Sequence, residues 1–548
     1  MADKQPQILI LPEGYTRTQK RDAQRDNIMA AKLFAETVRT TLGPRGMDKM
    51  LVDATGDITI TNDGATILNE MSVEHPAAKM MVEIAKTQEE EVGDGTTTVV
   101  IIAGELLKRA EELLDQDVHP TVIAKGFSMA ADKAEELLKS AAVAVDLKDK
   151  KLLTQIATTS VITKAPGGTD KLIQSIVSAV NKIIEGKTFD PDNIKIQKKI
   201  GKSVDDTELI DGLIIDKERI SQSMPKRVDN ARIALISAAL EIEKTETDAK
   251  ISITSPDQLQ SFLDQEERML KDMVSKIVAS KANVVFCQKG IDDLAQHFLA
   301  KAGIFTVKNL SSGDIDKLAR ATSANIVKTL DDLSDKDLGK AKVVEELKMG
   351  NDSMVFVREC VNPKAVTLLI RGGSEHVIDE VERSVKDALG VLKSVIEDGL
   401  IVAGGGSIEM ELAKHLNKYA EGLSGREQLA VRAFAEALES IPRTLAENAG
   451  LDPIDIIVSL KAAHDKGNTW HGVDVLTGKV TDMFNKGVIE PSRIKKQAIQ
   501  SASEAAIMIL RIDDVIAAGK LKEGPGAGHG GMPPMGMGGM GGMSPDMM

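Results

Sequence analysis

Residues 91–98, EVGDGTTT, have the composition of a loop that binds phosphate. They separate two stretches with apolar residues at helical spacing, so the glycines and threonines lie where the second helix begins. The free N–H groups and the positive dipole end of a helix favour an anion, and glycines let that anion approach the backbone. Thr96, Thr97 and Thr98 can add hydroxyl donors. A glycine-rich turn with a threonine cap is the structural alternative.

Asp94, inside this segment, indicates a divalent cation. A carboxylate aimed at a phosphate repels it unless a cation lies between them, and Mg²⁺ meets that need. Asp63 has a similar setting in TNDGAT (61–66), because it precedes a glycine turn into a predicted helix. By its pattern alone, Asp63 is more typical of a turn or a helix N-cap.

Two other glycine-rich segments could bring backbone donors to the same anion. They are TLGPRG (41–46), which ends a predicted helix, and AGGGS (403–407), which precedes another. Each could form an anion-binding nest, and each could be only a turn. A Walker A loop is not supported, because GKT at 186–188 and GKS at 201–203 both lack its upstream glycine.

The spacing of Asp387 from its neighbours does not indicate a catalytic base. Asp387 lies four residues after Arg383 on a predicted helix. That spacing is typical of an exposed ion pair, which contributes little to stability.

The elements that must position these residues divide the chain into three parts. Residues 1 to about 150 are predicted to be mostly helical with one hairpin, whose turn is Thr55-Gly56-Asp57. The middle, from about 231 to 370, alternates short β-rich runs with helices and is typical of an α/β domain. Long amphipathic helices then continue to about residue 520, so we expect the two ends to pack together. Helical spacing occurs in 20–42, 77–91, 97–114 and 120–139, and strand-like runs occur in 231–240, 283–288, 304–309, 324–330, 354–360 and 365–370.

A helix is also predicted to begin near residue 256. Ser255-Pro256-Asp257-Gln258 has the form of a capping box with proline at the first helical position. The apolar residues that follow form one broken stripe. The pattern alone favours a helix packed on its own domain, with an exposed helix for partner contact as the alternative. The stripe consists of Leu259, Phe262, Leu263, Leu270, Met273, Val274 and Ile277.

Composition excludes several classes of protein. The 548 residues carry a net charge of −14, which argues against sequence-independent binding to nucleic acid or to an anionic membrane. Cys287 and Cys360 show no zinc or disulfide spacing, and no apolar run is long enough to span a bilayer. We therefore expect a cytoplasmic protein. Residues 524–548 contain ten Gly, seven Met and four Pro, which predicts a disordered tail.

Several dispersed motifs, taken together, resemble the group II chaperonin family. The resemblance covers residues 10 to 523 and implies a multidomain α+β and α/β fold. The motifs are TLGPRGMDKM (41–50), TNDGATIL (61–68), EVGDGTTTVV (91–100), ERSVKDAL (382–389), VAGGGSIE (402–409), GVIEPSRIKKQAIQSASEAA (487–506) and LRIDDVIAAG (510–519).

The resemblance implies three domains, two of them built from separate segments. A mostly helical equatorial ATPase domain would comprise 1–150 and 404–523, and a small intermediate hinge domain 151–218 and 371–403. The α/β apical domain for substrate binding would comprise 219–370. Within it, residues 244–276 would form a helical protrusion that serves as a lid, which reverses the preference for a self-packed helix.

The resemblance also assigns roles to individual residues. Asp94 is similar to the Mg²⁺ ligand, while Asp63 and Asp387 match the carboxylates that orient and activate water. Lys164 resembles the lysine that senses the γ-phosphate. The implied nucleotide-binding set is Leu42, Gly43, Pro44, Gly95, Thr96, Thr97, Thr98, Ser160, Thr163, Lys164, Gly405, Gly406, Glu490 and Lys495.

These assignments imply an ATP-dependent chaperone that hydrolyses ATP with Mg²⁺. Its partners would be nonnative polypeptides and copies of itself or paralogous subunits, assembled in stacked eightfold double rings. Two other functions are compatible with the residues alone. One is a soluble ATPase or kinase acting on a small metabolite, and the other is a nonenzymatic scaffold whose glycine motifs are turns.

Overall fold

The computed structural model describes residues 15–71, 73–145, 149–162, 164, 169–242, 256–350, 352–361 and 363–518. The predicted tail at 524–548, Thr163 and the first part of the proposed lid, 244–255, lie outside these residues. The chain divides into two compact units. One contains the described residues up to Gln24 and from Ile512 onward, and the other runs from Arg25 to Arg511.

Helices provide most of the regular structure. Within the described ranges they are α1 (Lys20–Arg39), α2 (Gly64–Glu70), α3 (Pro76–Val92), α4 (Thr96–Asp115), α5 (Pro120–Ala141), α6 (Lys150–Val161), α7 (Thr169–Ile183), α8 (Pro256–Ala279), α9 (Asp293–Lys301), α10 (Ser312–Thr322), α11 (Glu375–Asp398), α12 (Ser407–Glu421), α13 (Glu427–Leu438), α14 (Ser440–Asn448), α15 (Pro453–Asp465) and α16 (Ser492–Leu510).

The strands of the described residues form several separate sheets. They are β1 (Tyr15–Gln19), β2 (Lys49–Val52), β3 (Ile58–Thr61), β4 (Val143–Ala144), β5 (Ile194–Ile200), β6 (Glu208–Ile210), β7 (Gly212–Ile215), β8 (Arg227–Ile236), β9 (Val284–Cys287), β10 (Phe305–Val307), β11 (Ile326–Val327), β12 (Gly339–Met349), β13 (Asp352–Cys360), β14 (Val366–Gly372), β15 (Leu400–Ala403), β16 (His471–Asp474), β17 (Lys479–Asp482), β18 (Ile489–Pro491) and β19 (Asp514–Ala518).

The smaller unit pairs the two ends of the chain. Strand β1 runs antiparallel to β19, with Arg17 opposite Ile516. The Arg17 guanidinium forms an ion pair with the Asp514 carboxylate, which adds a side-chain contact to the backbone ladder.

A large helical core in the second unit draws on both ends of the sequence. Helices α3, α4 and α5 pack with α12, α13 and α16. The first half of helix α4 is buried on every side, as the consecutive buried residues 99–103 show, and a segment that is apolar all round belongs in the interior. Its second half carries charged residues such as Lys108 and Glu112. The four predicted helical segments are confirmed as α1, α3, α4 and α5, and the predicted hairpin as β2 and β3.

A second core joins α6, α7 and α11 to a small sheet. In that sheet β14 lies between β5, to which it is parallel, and β6, to which it is antiparallel. The run at 365–370 is therefore a strand, as predicted, but it does not join the sheet formed by the other middle strands. Strand propensity did not specify its partner, because the pairing with β5 spans more than 160 residues.

The remaining middle strands form a seven-stranded sheet, ordered β10-β9-β8-β12-β13-β7, with β11 paired to β8. The other five predicted runs are confirmed in it as β8, β9, β10, β11 and β13. Strand β12 was not predicted, because its KVVEELKM sequence mixes charged and apolar residues without strict alternation.

Helix α8 begins at Pro256, as the capping pattern predicted. Its first half is exposed, including Phe262 and Leu263. Its second half buries Leu270, Val274 and Ile277 in a core with α9 and the seven-stranded sheet. The helix is thus packed on its own domain at one end only. None of the described helices is long and apolar enough to cross a membrane.

Candidate functional site

The turn between α3 and α4 has the backbone shape of an anion site. Gly93 is the C-cap of α3 and Gly95 is the N-cap of α4, and their φ angles are left-handed, at 76° and 84° respectively. Glycine adopts this conformation without a Cβ penalty. Because Gly95 has no side chain to cap α4, the first N–H groups of the helix stay available to a ligand. Threonine is therefore not the cap of this turn.

A cavity of about 360 Å³ opens in front of this turn. That volume is in the range of small-molecule sites. Of the predicted nucleotide-binding and metal residues, the structure places these around it: Leu42, Gly43, Pro44, Asp94, Gly95, Thr96, Thr97, Thr98, Lys164, Gly405, Gly406, Glu490 and Lys495. Ser160 is buried in α6 and is not among the cavity-lining residues.

Asp63 lies directly behind the threonines. It is the N-cap of α2, and its Oδ2 accepts a hydrogen bond from the Thr66 backbone N–H at 2.8 Å. Its Oδ1 accepts another from the Thr96 hydroxyl at 2.9 Å. The N-cap interpretation of Asp63 is confirmed, and the same carboxylate also reaches the site.

Three aspartates converge on the ammonium of Lys164. Its Nζ lies 2.6 Å from Asp387 Oδ2, 3.2 Å from Asp63 Oδ1 and 3.6 Å from Asp94 Oδ1. Only 9% of the lysine side chain is exposed. Residues 63, 94, 164 and 387 come from distant parts of the sequence, so the fold creates this cluster.

The cluster perturbs the ionisation of its members. Burial, together with the nearby charges of Asp63 and Asp94, raises the pKa of Asp387 to about 8, against the opposing pull of Lys164. Burial also acts to raise the pKa of Asp63, but Lys164 and the hydrogen bonds from Thr66 and Thr96 outweigh it and lower that pKa. The carboxylates hold the pKa of Lys164 well above its usual value, despite burial.

Asp387 reaches the cluster because two glycines let α11 approach the turn. A Cβ on Gly390 would lie 2.7 Å from the Gly93 Cα, and a Cβ on Gly93 the same distance from the Gly390 Cα. The spacing argument for an exposed pair with Arg383 is wrong. Arg383 instead bonds Glu380 at 2.7 Å, and Asp387 is buried.

A second charged cluster also borders the cavity. Lys495 Nζ is 2.7 Å from Glu490 Oε2 and 2.9 Å from Glu409 Oε1. Burial and the charge of Glu409 raise the pKa of Glu490, although Lys495 opposes them. Both carboxylates raise the pKa of Lys495 against the effect of burial.

Comparison with known proteins decides the family. The model of the TCP-1/cpn60 chaperonin family matches residues 34–520. The chain is 58% identical over 544 residues to the thermosome subunit beta of Methanothermobacter thermautotrophicus, covering 98% of this chain and 100% of that protein. It is 60% identical to a thermosome subunit of Methanothermococcus thermolithotrophicus, over 96% and 97%. It is 58% identical to the thermosome subunit alpha of Archaeoglobus fulgidus, over 95% and 96%.

The chain belongs to the TCP-1/cpn60 chaperonin family. The resemblance to group II chaperonins is therefore confirmed, and the multidomain α/β fold is a chaperonin fold. The chaperonin family uses ATP, so a nucleotide suits the cavity described above.

Several cavity residues of this chaperonin were missed by sequence reasoning. Thr158 and Thr159 come from α6, while Asp474, Met483 and Lys486 come from the β16–β17 hairpin and the loop after it. The Asp474 carboxylate lies 3.4 Å from the Lys486 ammonium. A turn-forming sequence, VDVLTGK (473–479), was the only local signal for this hairpin.

The donor set of the chaperonin site fits Mg²⁺ bound together with a phosphate. Within the described ranges, no three His, Cys, Asp or Glu side chains form a metal-binding group. Mg²⁺ commonly uses one or two carboxylates, several waters and the phosphates of its substrate, so a complete protein cage is not required. Asp94 faces the cavity with 26% of its side chain exposed, which suits such a ligand.

Proposed function

We propose that this chaperonin binds ATP with Mg²⁺ in the cavity and uses hydrolysis to drive the enclosure of nonnative polypeptides. The protein is an ATP-dependent chaperone that assists protein folding in ring complexes. The observation that carries the proposed site is the convergence of Asp63, Asp94 and Asp387 on Lys164 beside the glycine turn.

The turn after α3 would bind the phosphates. The N–H groups at the start of α4 and the hydroxyls of Thr97 and Thr98 would donate to phosphate oxygens, while the Thr96 hydroxyl donates to Asp63. Residues 42–44 line the cavity, and their backbone would add a second strip of contacts. Asp94 would hold Mg²⁺, which neutralises phosphate charge when bound.

Asp63 and Asp387 would prepare the attacking water. Asp387 accepts the proton of the water while the water oxygen bonds to the γ-phosphorus, and the bond between phosphorus and the β,γ-bridging oxygen of ATP breaks. The products are ADP and phosphate. A base with a pKa near the working pH suits this task, and the buried setting of Asp387 provides such a pKa.

Lys164 would report the presence of the γ-phosphate. Its ammonium pairs with three carboxylates, so a γ-phosphate oxygen must compete with them for it. Because α6 ends shortly before Lys164, a change of partner at Nζ is transmitted to that helix. The nucleotide thereby shifts the balance between open and closed rings.

Gly405, Gly406, Glu490 and Lys495 would lie at the ribose and base end. Ser160 and Thr163 are proposed for the nucleotide set by resemblance alone. Gly405 and Gly406 have left-handed φ angles of 66° and 75°, so their backbone can run close to a ligand.

The proposed domains suit a ring with a built-in lid: 1–150 with 404–523 as the equatorial domain, 151–218 with 371–403 as the hinge, and 219–370 as the apical domain. Two strands shift these boundaries by a few residues, because β7 joins the seven-stranded sheet and β14 joins β5 and β6. The exposed first half of α8 suits the lid role of residues 244–276. Subunits would form stacked eightfold double rings, either with themselves or with paralogues.

Electron microscopy of the purified protein with and without Mg-ATP tests this proposal. We expect eightfold double rings that close at one or both ends when Mg-ATP is added. A particle of one subunit's mass would favour the metabolite ATPase, and an ATP titration without Mg²⁺-dependent binding would favour the scaffold.

A further inference from the structure

Helix α14 packs against two glycine-containing strips of the cavity wall, residues 42–44 and 405–406. A Cβ on Gly43 would lie 2.4 Å from Leu445 Cδ2, and a Cβ on Gly406 would lie 2.6 Å from Pro442 Cβ. Since Leu445 and Pro442 are both on α14, this short helix sets the separation between the two strips. No motif in the sequence drew attention to it.

The last residue of α14 is hydrogen-bonded to the strip at residues 42–44. The side-chain Nδ2 of Asn448 lies 2.9 Å from the Leu42 carbonyl oxygen and 3.1 Å from the Arg39 carbonyl oxygen. Both partners are acceptors, so the amide must present its NH₂ group to them. The Arg39 carbonyl is the last of α1, where carbonyls lose their regular helical partners, and it also accepts the Leu42 N–H at 3.3 Å.

The position of Asn448 is itself fixed by the surrounding contacts. Arg39 Nη1 donates to the Thr444 hydroxyl at 3.2 Å, and its guanidinium pairs with Glu105 of α4. Thr444 is fully buried. These contacts join α1, α4 and α14, so the Asn448 amide is held against the turn from a rigid support.

We propose that Asn448 is a positioning residue for the phosphate end of the nucleotide site. Its amide holds the turn that starts at Leu42 in the shape that presents the backbone of residues 42–44 to the triphosphate. It acts through that backbone and does not line the cavity. The inference rests on the proposed ATP site.

The test compares Asn448→Asp with Asn448→Ala in the full chain. The aspartate keeps the shape of asparagine but turns an acceptor toward two carbonyl oxygens, whereas alanine only removes the hydrogen bonds. We expect the KM for ATP to rise about threefold to tenfold for alanine and about tenfold or more for aspartate, with kcat changed little. Glu447→Gln is the control, because Glu447 is the exposed neighbour on the same helix.

Thermal unfolding with and without Mg-ATP separates positioning from a general structural role. We expect both variants to keep the nucleotide-free midpoint within a few degrees but to show a smaller upward shift with Mg-ATP. A KM within twofold of wild type in both variants, with or without a lower midpoint, would overturn the inference. Wild-type protein without any Mg-ATP shift would instead refute the proposed ATP site. If Asn448→Asp does not fold, the KM of Asn448→Ala decides.

Discussion

The ammonium of Lys164 lies 2.6 Å from a carboxylate oxygen of Asp387, although 223 residues separate them in the sequence. This contact joins the proposed phosphate sensor to the proposed base. While Lys164 pairs with Asp387, the carboxylate oxygen accepts a charge-assisted hydrogen bond from the ammonium. Transfer of Lys164 to a phosphate oxygen would free Asp387 to accept a proton.

The first prediction concerns pH. Burial raises the pKa of Asp387 to about 8, and a base works only when it is deprotonated. The kcat/KM for Mg-ATP, which reports ionisations of the free enzyme, should therefore rise with pH and level off above about 8. A stopped-flow phosphate assay between pH 6 and 9 measures this. A rate that falls across the whole range would contradict the assignment of Asp387 as base.

The second prediction concerns Lys164→Met, which leaves three carboxylates together without their cation. Removing one partner of a buried ion pair commonly costs about 3 kcal/mol or more, so the melting temperature should fall. The loss should grow with pH, because burial and like charges raise the pKa of Asp387 and stability is lost as it ionises. Differential scanning calorimetry at pH 6 and pH 9 measures both effects. Lys386→Met, at an exposed lysine on α11, is the control, and an equal loss in both variants would count against the cluster.

The third prediction concerns Asp94→Asn and magnesium. Outer-shell partners of a bound metal are worth 10–100-fold in affinity, so loss of a direct ligand should raise the half-maximal Mg²⁺ concentration by about tenfold or more. The rate should be measured at fixed ATP over a range of Mg²⁺ concentrations. An unchanged Mg²⁺ dependence would show that Asp94 is not a ligand.

The fourth prediction concerns the lid. Residues 260–269 of α8 are on the surface, whereas Leu270 and Val274 belong to a buried core. Replacing 250–268 with a short Gly/Ser linker should therefore spare the fold and ATP hydrolysis but abolish client enclosure. Protease protection of a bound nonnative protein in Mg-ATP measures enclosure. Full protection in the deletion variant would contradict the lid assignment.

Local features of the site could be predicted where the types of a few neighbouring residues determine the backbone geometry. The glycine turn at 93–95 and the N-cap at Asp63 follow from residue type, since left-handed φ angles favour glycine and N-caps favour aspartate. Pro256 marked the start of α8 for a similar reason. These features depend on a few neighbouring residues, so the sequence alone sufficed.

Features that depend on distant contacts could not be predicted in the same way. The burial of Asp387 results from packing between Gly390 and Gly93, and no spacing rule encodes that contact. The same holds for the hairpin that brings Asp474 to the cavity and for the amide of Asn448 at the Leu42 carbonyl. Family resemblance supplied Asp387, and the structure supplied the other two.

The most direct test of the central claim is Asp387→Asn, with Asp379→Asn as the control at a partly exposed position of the same helix, where Asp379 pairs with Lys198. Nucleotide binding and steady-state phosphate release should be measured on the same preparations. We predict that Asp387→Asn binds Mg-ATP like wild type but hydrolyses it about 10²-fold more slowly or worse, while Asp379→Asn remains active. Hydrolysis by Asp387→Asn at the wild-type rate would contradict the account.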